Sequence, residues 1–479
     1  MPRIGARHRV CLLAVLGGCR AENVVQPPPP NGVAVVSVRP TAVSAPVGQA
    51  VQVTAIPQDI AGNVLPGWVV TWTTSDTTVA TVSTAGFTTN TSGFVTPVAP
   101  GTAMITATSG GKLGTTVISV AMPTPGQSYY VDAVVGNDTN SGTSAAPWQT
   151  IQHAADVLPP GDTAVVNDGV YTGPYNVVTI GRSGTPTAWL VFKSAHRWGA
   201  VIDGQSNTST TGFEIDGAYI RVDGFEVRNT ARYGIDAQRG HDVFVSQNHV
   251  HDIGRVCTDN SEGIVGVDAY DDNLVIERNV VHDIGRLGPG EQGCSPTNTY
   301  WQNHDHGVYH GVGDNVVIRN NIFYNLPHGW AIQRYDKDGG HTTGLTIVNN
   351  TFAGDNPWRP GQVIIASATT DLLIANNIFY LPNTAGVWFD ATGLMNVTVG
   401  TNLTMGGPVS TGNAESATFA GNLDDTDPKF ANPVGFDFHV QSGSAAIGAG
   451  LRLAIVPDDV DGLRRATAGG YTVGAYQYP

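Results

Sequence analysis

The amino-acid sequence predicts an all-β protein in which a small β-sandwich precedes a long parallel β-helix. The chain is rich in glycine, with 59 residues, and in threonine, valine and asparagine, which favours strands and turns over helices. Short alternating apolar runs fill the first quarter of the chain, as in a sandwich. Coil-length segments with one asparagine each repeat through the second half, as in a solenoid.

The first 19 residues have the pattern of an export signal. Three arginines precede a short apolar run from Val10 to Leu16, and small residues follow up to Cys19. The run is too short to cross a bilayer. Its Leu-Gly-Gly-Cys ending resembles a bacterial lipoprotein signal, in which Cys19 becomes lipidated; a plain secretory signal is the alternative. We therefore expect an exported protein, either secreted or anchored by lipid at the outer membrane or cell surface.

Residues 20–32 contain the run PPPPNG and predict an extended tether. Residues 33–121 alternate with period two between turn residues, as in QAVQVTAI and TAMITATS, which predicts a β-sandwich. The segments SVRPTAVSAPVGQAVQVTAIPQD and WTTSDTTVATVS resemble the bacterial Ig-like domain of group 2. That resemblance implies a spacer or a carbohydrate-adhesion module, and we expect a spacer. Residues 122–128 are predicted to be a linker.

Residues 129–479 are predicted to form the β-helix with its two ends. A helix is expected from about Pro147 to Leu158, because Ile151, Ala154 and Ala155 recur at helical spacing with Leu158 after an opening proline. A single amphipathic helix ahead of a β array has to cover an apolar surface. We expect it to close the open end of the solenoid.

One asparagine column defines the coils. Six segments, of which VFVSQNHVHDIG and LVIERNVVHDIG are the first two, align on Asn248, Asn279, Asn321, Asn350, Asn377 and Asn402. The intervals are 31, 42, 29, 27 and 25 residues. A buried amide can donate to one neighbouring coil and accept from the other, so we expect these residues to form a hydrogen-bonded ladder.

The sequence pattern of this region resembles that of the right-handed parallel β-helix proteins, a group that includes pectate-lyase-like enzymes. GTSAAPWQTIQHAADVLPPGDTAVVNDGVY is similar to their N-terminal cap, and DPKFANPVGFDFHVQSGSAAIGAG to an end segment of many exported members. The resemblance implies the fold but not the reaction. Lyases, glycoside hydrolases, epimerases, esterases and inert adhesins all use this scaffold.

The pentapeptide HDIGR occurs twice, at residues 251–255 and 282–286. A histidine beside an aspartate is a common way to orient a general base. Because both copies directly follow the asparagine column, however, His251 should stack on His282 and Asp252 on Asp283. The repeat therefore indicates a structural role.

A loop with one cysteine follows each HDIGR. The two loops differ in length, and solenoid insertions often concentrate on the binding face. Cys257 and Cys294 are the two cysteines that remain after the signal. In an exported chain such thiols are usually paired, so we expect a disulfide that pins a long loop over a groove.

The second loop leads into the segment NHDHGVYHG, in the part of the chain richest in titratable groups. We expect one apolar residue of each strand to point into the core: Ile235, Ile264, Val308 and Ile332. Strand alternation then places the next residue of each strand on one outer face, and these residues are Asp236, Val265, Tyr309 and Gln333. The same alternation would turn His310 and Arg334 inward. A buried guanidinium is costly, so we expect these strands to end first and both side chains to reach the surface.

The charge of −15 argues against a nucleic-acid partner. We expect an extracellular polysaccharide partner instead, and an acidic one requires a local cation. Lyases and C5-epimerases need a cation for the uronate carboxylate, a base for the C5 proton and often an acid for the leaving oxygen. The catalytic candidates are His306, Tyr309, His310, Arg334 and Lys337. A lysine base has to be Lys337, because Lys193 and Lys429 lie near the two ends.

The remaining candidates are expected to bind substrate or metal. The substrate-binding candidates are Asp236, Glu262, Trp301, Asp305, His328, Gln333 and Tyr335, and Trp330 is either a sugar platform or a core residue. Asp268, Asp271 and Asp272 can bind Ca²⁺, although AYDDN is equally a polar turn and we favour the turn. His304, His306 and His310 can bind a transition metal, although a hydrogen-bonded set is favoured. No cofactor is certain.

Three functions remain open. We expect an enzyme, and a lyase that cleaves a uronic-acid polymer by β-elimination comes first. A glycoside hydrolase or a C5-epimerase comes next. HGVYHG followed by HGWAIQR is faintly similar to the catalytic coils of alginate C5-epimerases, but their aspartate-proline-histidine signature is absent. A hydrolase needs two carboxylates, and Asp236, Glu262, Asp268 and Asp305 are available. The third function is non-catalytic binding or adhesion. A monomer is expected.

Overall fold

The computed structural model describes residues 32–46, 50–84, 91–121, 126–258, 262–295, 297, 300–354, 356–414, 416–466 and 468–479. The predicted signal, its Cys19 and nearly all of the tether lie outside these residues. Within them, no helix is long and apolar enough to cross a membrane. The predicted fold class is confirmed, since a mostly antiparallel sandwich is followed by three stacks of parallel strands.

The N-terminal sandwich consists of two four-stranded sheets. One sheet contains, in spatial order, Val35–Arg39, Val51–Gln58, Ser92–Pro97 and Ala80–Ser83. The other contains Ala42–Pro46, Lys112–Ala121, Gly101–Ser109 and Thr71–Thr74. Alternate residues of both sheets, such as Val53, Ile105 and Ile118, have no exposed surface and form the core between them.

The cap helix spans Ile151–Val157 and begins later than the sequence predicts. Trp148 forms a parallel β-bridge with Val131, which ends the strand Ser128–Val131, so the chain at Trp148 is extended rather than helical. Thr150 is the N-cap, and its side chain accepts a hydrogen bond from the His153 amide. The predicted apolar face is confirmed, because Ile151, Ala154, Ala155 and Leu158 join the core of the β-helix.

Each coil of the β-helix passes in turn through three parallel sheets, named here sheets 1, 2 and 3. Sheet 1 contains Ser128–Val131, Thr163–Val166, Leu190–Ser194, Ala218–Asp223, His241–Ser246, Val275–Glu277, Val317–Arg319, Thr346–Val348, Thr369–Ala375, Met395–Gly400 and Ala417–Ala420, with Thr342–Thr343 at its side. Sheet 2 contains Gly169–Tyr171, Ala200–Asp203, Glu226–Arg228, His249–Ile253, Val280–Ile284, Ile322–Tyr324, Thr351–Ala353, Ile378–Tyr380 and Leu403–Met405. Sheet 3 contains Asn176–Ile180, Thr211–Ile215, Tyr233–Ala237, Ile264–Ala269, Asp305–His310, Ile332–Arg334, Val363–Ile365, Val387–Phe389 and Ser410–Gly412.

The asparagine ladder lies at the bend between sheets 1 and 2. Asn321 shows the pattern, since its Nδ2 donates to Asn350 Oδ1 (3.0 Å) and its Oδ1 accepts from the Asn279 amide N (2.9 Å). The same contacts join all six predicted members, which are fully buried. Asn422 adds a further rung, which accepts from the Asn402 amide.

The two HDIGR copies lie on adjacent strands of sheet 2, and the predicted stacking of their histidines is confirmed. His251 pairs with His282, with ring centres 5.0 Å apart and planes within 6° of parallel. Each histidine uses Nδ1 to bind the aspartate that follows it, at 2.7 Å to Asp252 and 2.5 Å to Asp283.

Two parts of the chain cover the outside of the β-helix. The sandwich packs on sheet 1, where Phe94 joins a buried cluster with Val348 and Leu373. The C-terminal segment contributes the antiparallel hairpin of Phe430–Asn432 and Asp437–Val440, and it packs on sheet 2 through Phe438 and Val440. Short 3₁₀ turns occur at Glu291–Gly293, Tyr300–Asn303 and Pro433–Gly435.

Candidate functional site

The strands of sheet 3 bring several predicted site residues into one outward column. Asp236 pairs with Asp268, Asp268 with Tyr309, and Tyr309 with Gln333. The expected register of one strand is wrong by three residues, because Val267 rather than Ile264 aligns with Ile235 and Val308. IVGVDA is apolar in both alternation phases up to its aspartate, so periodicity did not fix its register. Asp268 therefore occupies the position in the outward column that was predicted for Val265.

Three carboxylates form what we call the acid column: Glu214, Asp236 and Asp268, on successive strands. Asp236 and Asp268 are only 6% and 3% exposed, and their Oδ1 atoms have no hydrogen-bond partner among the described residues. Gln238 Nε2 donates to Asp268 Oδ2 at 2.7 Å. Burial, reinforced by the charge of Glu214, raises the pKa of Asp236 to about 7. Burial and the neighbouring Asp236 raise the pKa of Asp268 well above its ordinary value.

Tyr309 follows the acid column on the next strand and is half-buried. Its ring stacks with that of Tyr270 at 5.9 Å between centres. Burial raises the pKa of Tyr309 to about 12, and a side-chain hydrogen bond with Tyr270 opposes that rise. Tyr309 is therefore protonated at neutral pH, and it lies directly beside a buried carboxyl group.

His310 and Arg334 are fully buried, so the expectation that they reach the surface is wrong. His310 Nδ1 lies 3.0 Å from the Ala269 carbonyl oxygen, and burial lowers the pKa of this imidazole to about 3. Arg334 donates to the backbone carbonyls of Gly311, Gly340 (2.7 Å) and Ala368 (3.1 Å). Those carbonyls replace water for the guanidinium. Arg334 thereby holds together the loops next to Tyr309.

Three predicted site residues at or just before the start of sheet 3 strands are also buried. Asp305 forms an ion pair with Arg286 at 2.8 Å, and neither side chain is exposed. His306 Nδ1 accepts from the Trp330 amide at 3.2 Å, and burial lowers the pKa of His306 well below its ordinary value. His328 is buried 3.7 Å from Glu291. Asp305, His306 and His328 therefore brace the loops and do not present polar atoms to a substrate in this conformation.

Several predicted site residues are open to solvent. Glu262 is exposed and lies 3.8 Å from the Arg232 guanidinium. Tyr335 is 38% exposed, and Lys337 is exposed in the same loop beyond Arg334. The side chain of Trp301 lies outside the described residues.

Gln333 is nearly buried and Trp330 is a core residue whose indole donates to the Pro360 carbonyl.

Sequence reasoning missed Glu214, Tyr270 and Trp388. Glu214 and Trp388 occupy the outward column itself, through the pairs Glu214 with Asp236 and Ile364 with Trp388. A complete alignment of the sheet 3 strands would have found both of them.

Asp271 and Asp272 stabilise the turn after Asp268 rather than extending the acid column. Asp271 Oδ1 accepts from the Gly240 amide at 2.8 Å, and Asp272 Oδ1 accepts from the Asp314 amide at 2.7 Å. Both contacts join neighbouring coils, as expected of a polar turn. Among the three predicted calcium ligands, Asp268 is the one on the outer face of sheet 3, and its partner there is Asp236.

The predicted disulfide is present. Cys257 and Cys294 are bonded, with their Cα atoms 5.5 Å apart. Beside the bond, Glu291 lies 3.6 Å from Arg255 and 3.7 Å from His328. The bond and these contacts fix the two loops that follow HDIGR at the edge of sheet 3.

Two family matches agree with this architecture. Residues 129–345 match the family described as Pel9A-like, right handed beta helix region, and residues 32–119 match the bacterial Ig-like domain of group 2. Pectate lyase L of Dickeya dadantii (strain 3937) is 26% identical over 251 residues, which cover 48% of this chain and 57% of that relative. The match thus spans little more than half the length of the relative.

The similar solved structures include two lyases. The crystal structure of pectate lyase Pel9A has a TM-score of 0.49 at 14% identity, covering 74% of this chain and 96% of the other. An alginate lyase from Paenibacillus sp. str. FPU-7 has a TM-score of 0.42 at 17% identity, covering 62% and 95%. The chain therefore combines a Pel9A-like right-handed β-helix region with a bacterial Ig-like domain of group 2.

Proposed function

We propose that the β-helix is a polysaccharide lyase that cleaves a uronic-acid-containing chain by β-elimination on the outer face of sheet 3. The observation that carries the proposal is the column in which two buried carboxyl groups, Asp236 and Asp268, lie beside the protonated Tyr309. The similarity to pectate lyase L supports a uronic-acid-containing substrate. A neutral polysaccharide would not require a cation at this column.

The raised pKa values of Asp236 and Asp268 mean that both groups ionise together only when a cation lies beside them, and an approaching uronate carboxylate increases that requirement. Oxygen atoms of buried carboxylates are the ligands that Ca²⁺ prefers, and the unpartnered Oδ1 atoms of Asp236 and Asp268 meet that requirement. We therefore propose that Asp236 and Asp268 hold Ca²⁺. When bound, this ion would offset the negative charge that develops on the uronate carboxyl group during elimination.

The proton transfers are assigned to the two catalytic candidates that remain accessible. Tyr309 holds its proton at neutral pH, so we assign to it the protonation of the leaving oxygen. Lys337 is exposed in the loop that Arg334 holds beside Tyr309, and we assign to it removal of the C5 proton. Arg232, beside Tyr233 at the other edge of the face, can pair with a neighbouring uronate.

One observation favours a second function, glycoside hydrolysis. The structure selects Asp236 and Asp268 as adjacent carboxyl groups, whereas Glu262 is exposed and Asp305 is ion-paired. A buried carboxyl group with a raised pKa is suited to general acid catalysis. In this alternative, the protonated member of the pair would donate to the glycosidic oxygen and no unsaturated product would form.

The location of the protein is part of the proposal. We propose that the chain is exported and held at the cell envelope by acylation of Cys19. The Ig-like domain would then act as a spacer between the membrane and an extracellular polysaccharide. Its packing against sheet 1 leaves the acid column free to bind the polymer.

The test is an assay of the full chain on polygalacturonate, alginate and a neutral glucan, with Ca²⁺ or with a chelator. A lyase produces new reducing ends together with ultraviolet absorbance of the unsaturated uronate, and we expect both on a uronate polymer only. Lys337→Ala should lower kcat by about 10²- to 10⁴-fold, the usual contribution of a proton-transfer group. Lys429→Ala, at the far end of the β-helix, is the matched control and should retain full activity.

The outcomes separate the functions. Reducing ends without the absorbance would replace the lyase by the hydrolase. Exchange of the C5 proton without cleavage would indicate an epimerase, and binding without any reaction would indicate an adhesin. Full activity of both Lys337→Ala and Tyr309→Phe would refute the assigned residues.

A further inference from the structure

We propose that the outer face of sheet 2 carries a second metal site, for a divalent transition metal of the Zn²⁺ class. Its ligands are His249, His251 and His282 with Glu226. This site goes beyond the proposed function, since it lies on a different sheet from the acid column. It also gives the repeated HDIGR segments a role that stacking alone does not explain.

The four side chains converge because of strand register. His249 and His251 are two residues apart on one strand and point to the same face, on either side of the buried Val250. Glu226 pairs with His249 on the preceding strand, and His282 pairs with His251 on the following one. One ligand atom each from Glu226, His249 and His251 lie within 4.8 Å of one another. His282 Nε2 is 2.7 Å from His249 Nε2.

The aspartates of HDIGR fix the imidazole tautomers. His251 Nδ1 lies 2.7 Å from Asp252, and His282 Nδ1 lies 2.5 Å from Asp283. A nitrogen this close to a carboxylate carries the hydrogen, so in the neutral ring Nε2 is left with a lone pair. Metal-binding histidines are oriented by a carboxylate in the same way. Both HDIGR copies therefore present Nε2 as a ligand atom.

Within the cluster, His249 Nε2 can donate to His282 Nε2, but the contact of His251 with Glu226 brings two acceptors together. His251 Nε2 lies 3.3 Å from Glu226 Oε1, and it is buried without a hydrogen-bond partner among the described residues. In the neutral tautomer, a lone pair thus faces a carboxylate oxygen. A metal ion bound by these atoms would remove the repulsion.

The surroundings favour a transition metal over Ca²⁺ and a structural role over catalysis. Imidazole nitrogen is a preferred ligand of Zn²⁺, and Ca²⁺ prefers oxygen. Trp198 covers His249, with ring centres 4.7 Å apart, and Tyr324 stacks on His282 at 4.4 Å. Two guanidinium groups would repel a bound metal ion, since Arg228 binds Glu226 at 2.7 Å and Arg197 lies near His249. Asp252 and Asp283 supply compensating negative charge. Bound metal would clamp three successive coils just ahead of the disulfide loops.

The test uses the full chain, stripped with a chelator and titrated with Zn²⁺ by calorimetry, with Co²⁺ as a spectroscopic probe. We expect one equivalent per chain, visible Co²⁺ absorption typical of nitrogen ligands, and a higher Tm with Zn²⁺. The double variant His249→Gln and His251→Gln should lose binding. Asp283→Asn, which keeps all four ligands, should weaken it about 10- to 100-fold.

The control is His196→Gln, because His196 is an exposed histidine paired with Asp168 and lies outside the cluster. It should bind Zn²⁺ as the unmodified chain does. Circular dichroism establishes that each variant is folded. The proposal is overturned if the folded double variant, or the folded Asp283→Asn, binds Zn²⁺ as tightly as the control. None of these readouts depends on lyase activity, so failure of the proposed function would leave them unchanged.

Discussion

Replacing Asn321 by alanine tests how much the asparagine ladder contributes to stability. The side chain is fully buried and makes four hydrogen bonds, to Asn350 Oδ1 and the Ile276 carbonyl as donor, and from the Asn279 backbone and side-chain amides as acceptor. Alanine removes all four. The Asn279 backbone N–H and the Ile276 carbonyl lose this partner at a buried position, at about 1–3 kcal/mol for each buried group left unsatisfied. We expect a loss of about 4 kcal/mol.

The matched control is Asn422→Ala at the last rung. Asn422 makes the same kinds of contact, to Asn402 and the Val399 carbonyl, but it is only partly buried. Water can replace its hydrogen bonds, so its loss should be nearer 1 kcal/mol. Urea unfolding followed by circular dichroism measures both changes. If Asn321→Ala costs no more than Asn422→Ala, the ladder does not stabilise the coils through buried hydrogen bonds.

Three further predictions concern the acid column, the domain contact and the disulfide. Asp236 has a pKa of about 7 and takes up a proton as the pH falls through that value. The Ca²⁺ affinity measured by calorimetry should therefore fall from pH 8 to pH 6. Asp236→Asn should weaken Ca²⁺ binding and flatten this pH dependence. Buried Asp371, which binds Thr91 of the Ig-like domain, has its pKa raised to about 6. Stability should therefore be lost as the pH rises from about 4 to 6, and Asp371→Asn should raise Tm at pH 8. Opening the Cys257–Cys294 loop, a separation of 37 residues, by Cys257→Ser with Cys294→Ser should cost up to about 4 kcal/mol in urea unfolding.

The features that the sequence predicted well are those repeated by neighbouring coils. The column of asparagines and the two stacked HDIGR segments follow from periodicity, because stacking places equivalent residues in contact. The Cys257–Cys294 bond follows from the same alignment, since both cysteines leave adjacent coils at the same point. In these cases, a local pattern determines a contact between residues far apart in the chain.

The burial of Arg334 could not be predicted in this way. Its acceptors come from Gly311, Gly340 and Ala368, on loops whose mutual position depends on the complete fold. The average cost of a buried guanidinium argued against burial, but three carbonyls offset it. The predicted register of the strand Ile264–Ala269 was wrong for another reason. Ile264, Val265 and Val267 are all buried, so the strand shows no alternation of apolar and polar residues from which its register could be predicted.

The location of the candidate sites follows from which faces of the β-helix are covered. The Ig-like domain covers part of sheet 1, where Thr346 donates to Gln52 of that domain at 2.6 Å. The C-terminal segment covers part of sheet 2, where Phe436 stacks on Tyr324 at 4.3 Å. In the proposed function, a polymer would therefore bind chiefly on sheet 3, where the acid column and Tyr309 lie. The histidine cluster is half-buried beneath Trp198, and a metal bound there would stabilise the coils on which the acid column depends.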